Sequence, residues 1–118
     1  MSLNKVMLIG NVGQVPEVRE TDGRRWAKAT LATTDRAYTT RDGVQVPERT
    51  EWHNLVFNGP LVSIVETWVA KGTKLFVEGR LRTRKYTKDN QDHYITEVVV
   101  DNLELLGTKP AETSTNLF

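Results

Sequence analysis

The sequence predicts an all-β domain: five strands around one core, with a single helix between the third and fourth strands. Three observations predict it. Segments of alternating or continuous apolar character recur along the chain, separated by turn signals rich in Gly and Asp. Only one stretch carries the period of an amphipathic helix. At 118 residues the chain is one domain, long enough to bury a single core.

The first strand is Val6 to Val12 (VMLIGNV), where Gly10 and Gly13 mark a bend or bulge. Pro16 to Thr21 continues it weakly and stops at Asp22-Gly23. Arg25 to Thr34 and Thr50 to Asn58 are the second and third strands, joined by a long hairpin that turns at Asp42-Gly43. In the helix, Leu61, Ile64, Val65 and Trp68 fall at i, i+3, i+4 and i+7, with Pro60 near the start and Gly72 beyond the end. This stripe makes Trp68 a core residue by expectation. Lys74 to Thr87 and Tyr94 to Leu106 are the fourth and fifth strands, on either side of a turn at Lys88 to Asp92. Beyond Gly107 the chain is polar and aperiodic, which predicts a domain over residues 1–107 and a short flexible tail over 108–118. This is the element order of a five-stranded OB-fold barrel, although order alone leaves other small β barrels open.

Composition excludes several classes of function. No cysteine is present, which removes disulfide scaffolds, thiol catalysis and thiolate metal sites. No apolar run approaches the length of a membrane helix and the N-terminus lacks a signal peptide, so a cytoplasmic protein is expected. The formal net charge of +1 says little by itself. What matters is where the charges sit.

Side chains alternate between the two faces of a strand. In the fourth strand Leu75, Val77, Gly79, Leu81 and Thr83 suit a barrel interior. The other face carries Arg80, Arg82, Arg84, Tyr86 and Lys88. Guanidinium groups pair with phosphates and stack on bases, and an exposed aromatic ring offers a surface for an unpaired base. The third strand turns His53, Leu55 and Phe57 inward and Trp52, Asn54, Val56 and Asn58 outward, and the second places Trp26, Lys28 and Thr30 outward. Aromatic platforms among cations are the design of a sequence-tolerant single-strand binder; the blander reading is a solvated barrel face. Catalysis has little to stand on. His53 and His93 are the only histidines, neither has metal-ligand spacing, and no phosphate loop, dinucleotide fingerprint or nucleophile elbow occurs. A non-enzymatic protein without metal or cofactor is expected, with His53 as a hydrogen-bonded structural or interface residue.

Eight motifs in register then narrow the reading. Asn4-Lys5-Val6, Leu8-Ile9-Gly10-Asn11 through Gly13, Pro16-Glu17-Val18-Arg19, Leu31-Ala32-Thr33, Thr50-Glu51-Trp52-His53, Val77-Glu78-Gly79, Leu81-Arg82-Thr83-Arg84-Lys85 and Thr96-Glu97-Val98 together resemble the bacterial single-stranded DNA-binding protein family. The resemblance implies an OB-fold homotetramer that wraps single-stranded DNA in replication, recombination and repair. It makes Trp52 and Tyr86 base-stacking residues and Lys5, Lys71, Arg82, Arg84 and Lys85 DNA-facing cations. It places His53 at a subunit interface, the first strand with Val6 and Leu8 at a dimerisation edge, and Phe76 at the surface joining dimers.

Three departures stand out. The family's aromatic at the end of the third strand is Asn58 here, and Tyr38 is a shifted substitute for the aromatic after the second strand. The family's acidic tip has no counterpart, since Glu112 is the only acidic residue after Gly107, so the resemblance lends no support to recruitment of replication and repair proteins. Rival readings are a primosome-like or RNA-binding OB adaptor, and a pure protein-interaction barrel in which Trp26, Trp52 and Phe76 serve subunit contacts. If the long hairpin is symmetric about Asp42, residues whose numbers add up to 84 face each other. Trp26 then lies opposite Asn58 on the outward face, from where it can supply a stacking surface that Asn58 lacks.

Overall fold

The computed structural model describes residues 1–107; the tail expected over 108–118 lies outside the described residues. The strands are β1 (Val6–Val12), β2 (Glu17–Thr21), β3 (Arg24–Asp35), β4 (Tyr38–Thr39), β5 (Gln45–Val46), β6 (Arg49–Asn58), β7 (Lys74–Lys88) and β8 (Gln91–Gly107), with α1 (Leu61–Trp68) between β6 and β7. The main sheet runs β1-β7-β8-β6-β3-β2, and β1 also pairs with β3. Five long strands therefore pair around a ring, as the OB fold requires. β1 and β2 share one edge of β3, the first at Leu31 and Ala32 and the second over Arg24 to Lys28, so β2 is the weak continuation of β1 that the sequence predicts. The β6–β8 pairing is parallel, at Leu55↔Val98 and Val56↔Val99.

Turn chemistry sets the hairpins. Asp22 and Gly23 have φ of 53° and 77°, and Asp89 and Asn90 have φ of 55° and 63°, so both are two-residue turns of the primed kind that suits the twist of antiparallel strands. The turn between β7 and β8 is thus tighter than the five-residue stretch expected from sequence. The β3–β6 hairpin keeps one register from Trp26↔Asn58 to Asp35↔Arg49, and Tyr38↔Val46 and Thr39↔Gln45 of β4 and β5 extend it unchanged. Every pair adds up to 84. The small β4–β5 sheet inside the long connection was not visible in the sequence pattern.

Leu31, Leu55, Phe57, Leu75 and Val77 are fully buried at the centre of the core, with Val98 and Val100 of β8 and Val62 and Val65 of α1 around them. A Cβ on Gly10 or Gly79 would run into the backbone carbonyls of Ala32 and Val99, so these two glycines let the strands pack closely at the barrel wall.

Two sequence expectations are corrected. Trp68 is 61% exposed and Ile64 is exposed as well; α1 buries Val62 and Val65, followed by Val69. An eight-residue helix makes about two turns, so two adjacent stripes both fit the apolar pattern. Packing against β3 and β6 selects the stripe one residue over. Leu81, placed inside by parity, is exposed because β7 runs on past the end of the barrel as a free-standing hairpin with β8.

Candidate nucleic-acid interface

The outward faces of β3, β6, β8 and β7 adjoin, with shallow depressions between them that form the floor of a groove. β3 contributes Arg24, Trp26, Lys28 and Thr30, which alternate with the buried Ala27 and Leu31. β6 contributes Trp52, Asn54, Val56 and Asn58. Across the β7–β8 pairing Arg82 faces Glu97, Arg84 faces Ile95 and Tyr86 faces His93, so these six share one side of the hairpin. A depression of about 260 Å³ joins the strands, lined among others by Trp26, Lys28, Asn54, Val56 and Arg84. A second of about 250 Å³ is lined by Trp26, Val56, Asn58, Arg82, Arg84 and Glu97.

Glu97 organises the cations. Its side chain is only 3% exposed, and its Oε1 accepts hydrogen bonds from Arg82 Nη2 at 2.8 Å and Arg84 Nε at 3.0 Å. One buried carboxylate thus compensates two guanidinium groups that stay about half exposed on the groove side. A buried charge demands such partners, and the pairing fixes where the two arginines point. Glu97 was missed as a site residue in the sequence reading. Residues across β7 and β8 add up to 179 from Lys88↔Gln91 to Gly79↔Val100, so the tight turn at Asp89-Asn90 would have placed it opposite Arg82.

The aromatics are presented by different means. Trp52 is 60% exposed, and a Cβ on Gly13 would strike its ring and come within 2.8 Å of Thr30 Oγ1. Gly13 therefore leaves the space over which the indole lies. Tyr86 is 41% exposed and stacks on His93 with ring centroids 5.2 Å apart and planes 21° from parallel. Trp26 is half-buried, lies directly opposite Asn58, and donates its indole N–H to Thr21 Oγ1 at 3.2 Å.

The other sequence candidates are scattered. Lys85 is on the opposite side of the β7–β8 hairpin, across from Tyr94, with its Nζ 3.6 Å from Asp92. Lys5 is held by Glu78 at 2.7 Å, a hydrogen bond and ion pair that keep the Glu78 carboxyl below the ordinary carboxylate range. Lys71 is exposed in the turn after α1. Tyr38 is 60% exposed on the β4–β5 hairpin, away from the groove floor.

Among the assembly candidates, His53 is half-buried and its Nε2 lies 2.9 Å from Thr33 Oγ1, which is the hydrogen-bonded structural reading. Val6 and Leu8, on the first strand expected to form a dimerisation edge, are partly buried and pack against the core. The residues that β1 turns outward are Met7 and Ile9, and Ile9 pairs directly with Phe76 of β7.

A model of the family described as "Single-strand binding protein family" matches residues 3–106. The chain belongs to the single-strand binding protein family. A single-stranded DNA-binding protein of Bacteroides thetaiotaomicron is 54% identical over 115 residues, covering 96% of this chain and 71% of the relative. One of Rickettsia felis is 47% identical, covering 97% of this chain and 79% of the relative. Among solved structures, a Plasmodium falciparum SSB in complex with ssDNA has a TM-score of 0.80 at 32% identity, covering 90% of this chain and 97% of that one. A Thermus aquaticus single-stranded DNA-binding protein has a TM-score of 0.74 at 30% identity, covering 88% of this chain and half of the other.

Proposed function

We propose that this protein binds single-stranded DNA with little sequence preference, as a non-enzymatic homotetramer that protects exposed strands in replication, recombination and repair. The cytoplasm, at the nucleoid, is where such a protein works. One observation carries the reading: the groove combines half-exposed arginines, clamped by the buried Glu97, with the exposed rings of Trp52 and Tyr86 on the same outward face. Rings stack on bases through a π-face that every base has, and cations track the phosphates, so affinity arises without base-edge readout. The outward apolar residues Met7, Ile9 and Phe76 support self-assembly, because a chain working alone would expose them to water.

Binding to oligothymidylate tests the proposal. Tryptophan fluorescence should be quenched, and affinity should fall with salt at a log–log slope of about −0.7 for each phosphate neutralised. A flat salt response, or fluorescence that ignores the oligonucleotide, would count against it. Competition between single-stranded DNA and RNA separates this function from an RNA-binding adaptor.

A further inference from the structure

Trp26 has an environment that burial alone does not explain. On its own side of the sheet its neighbours across the strands are Arg19 on β2 and Asn58 on β6, and its neighbours along β3 are Arg24 and Lys28. The Arg19 guanidinium carbon lies 6.0 Å from the ring centroid, at the outer limit of a cation–π contact. The ring borders three adjoining depressions: one with Arg82 and Arg84, one with Lys28 and Asn54, and one with Arg24, Arg25 and Asn58. Its indole N–H is already committed to Thr21, which holds the ring in place.

We propose that Trp26 is a base-stacking residue and that, with Arg24, Lys28 and Asn58, it forms a nucleotide subsite at the end of the groove remote from Trp52. The inference rests on the reading of this groove as a single-strand binding surface. Along the face of β6, Asn58 lies six residues from Trp52, about 20 Å at strand rise, so the subsite lengthens the strand's path and does not duplicate Trp52. Cations along β3 and at Arg82 and Arg84 can reach phosphates on either side of a base stacked on the ring. The Asn58 amide offers both a donor and an acceptor to that base's edge.

Two plainer roles fit less well. The ring has Val15, Leu55 and Ile95 beside it in the depression on the Lys28 side, but the depression it shares with Asn58 is lined by Val56 with Arg82, Arg84 and Glu97, which a ring that merely covers apolar surface does not require. The core of a subunit interface is depleted in charge, and Trp26 sits among arginine and lysine.

The test compares wild type with Trp26→Ala, Trp26→Leu and the double variant Trp26→Ala with Asn58→Phe. Each is measured for oligothymidylate affinity at fixed salt and for assembly by native mass. Trp26→Ala should lose about fivefold to a hundredfold in affinity with the assembly unchanged. Trp26→Leu should lose a similar amount, because leucine fills space without a π-face, and it keeps the test sound if the alanine variant folds poorly. Asn58→Phe should restore much of the loss, since directly opposed Cβ atoms lie about 5 Å apart and the new ring enters the same depression. Full affinity in Trp26→Leu, or a loss accompanied by a smaller assembly, overturns the subsite. A wild-type chain that leaves oligothymidylate unbound overturns the function itself, which is a different outcome from wild-type binding with an indifferent Trp26.

Discussion

At the scale of single residues, what matters is how a side chain is held, and sequence pattern says little about that. Alternation along β6 and β7 was enough to place Trp52, Asn58, Arg82, Arg84 and Tyr86 outward, because the side-chain period of a strand is two and no bulge interrupts those stretches. It did not reveal that Gly13 underlies Trp52, because that contact joins residues distant in sequence, nor that His93 backs Tyr86, because the turn expected over Lys88 to Asp92 is longer than the two-residue turn that pairs them. Both can be tested. Trp52→Ala and Tyr86→Ala should each weaken oligothymidylate binding by an amount corresponding to about 1–3 kcal/mol and leave cooperative unfolding intact. Gly13→Ala should also weaken binding, although residue 13 need not touch DNA. The added methyl group displaces the far edge of an exposed ring, which is a small matter for folding and a large one for a stacking platform. Equal affinities of Gly13→Ala and wild type in fluorescence titration would show that the ring's position is not critical.

At the scale of elements, legibility followed hydrogen-bond periodicity and failed where packing chooses among equivalent faces. The register of the long hairpin was readable once symmetry about Asp42 is assumed, since a constant sum of 84 gives the partners from Trp26↔Asn58 to Asp35↔Arg49, although the β4–β5 pairs that continue it were not. The far end of β7 was not, because parity says which side a residue faces and not whether the barrel still lies on that side; hence Leu81 is exposed and Lys85 stands apart from Arg84. The helix was found with its start at Leu61, but it stops at Trp68 rather than just before Gly72 and buries Val62 and Val65 rather than Ile64 and Trp68. That difference can be measured by chemical denaturation. Val65→Ala should destabilise by about 1.5–3 kcal/mol, because a fully buried branched side chain loses its packing. Trp68→Lys should stay within about 0.5 kcal/mol of wild type, as expected for an exposed position. A large cost for Trp68→Lys would mean that something outside one chain covers this ring.

At the scale of the whole molecule, the two outward surfaces of the barrel differ in chemistry, as the proposed separation of strand binding from assembly requires. One carries arginines and separated rings around the buried Glu97. The other, over β1 and β7, presents Met7 at 60% and Ile9 at 54% exposure beside the half-buried Phe76, with Glu78 and Lys5 paired at its margin. Among the described residues the edge of β1 that faces β3 is paired at Asn11 and Val12 only, so there the stretch from Val6 to Gly10 presents an open strand edge. An apolar face next to an open strand edge fits association of identical chains. Ile9→Glu places a carboxylate in the middle of that face without touching the inward residues Val6 and Leu8. Burying an uncompensated charge is costly, so the variant should populate smaller species than wild type in native mass spectra at equal concentration. Its thermal unfolding should remain cooperative, because the core is unchanged. Its affinity for a long oligothymidylate should fall far more than its affinity for a short one, since only the long strand gains from linked binding sites on several subunits. An unchanged mass would move the assembly surface elsewhere. A smaller mass with an equal loss on short and long strands would mean that Ile9 affects the groove itself rather than the number of grooves a strand can span.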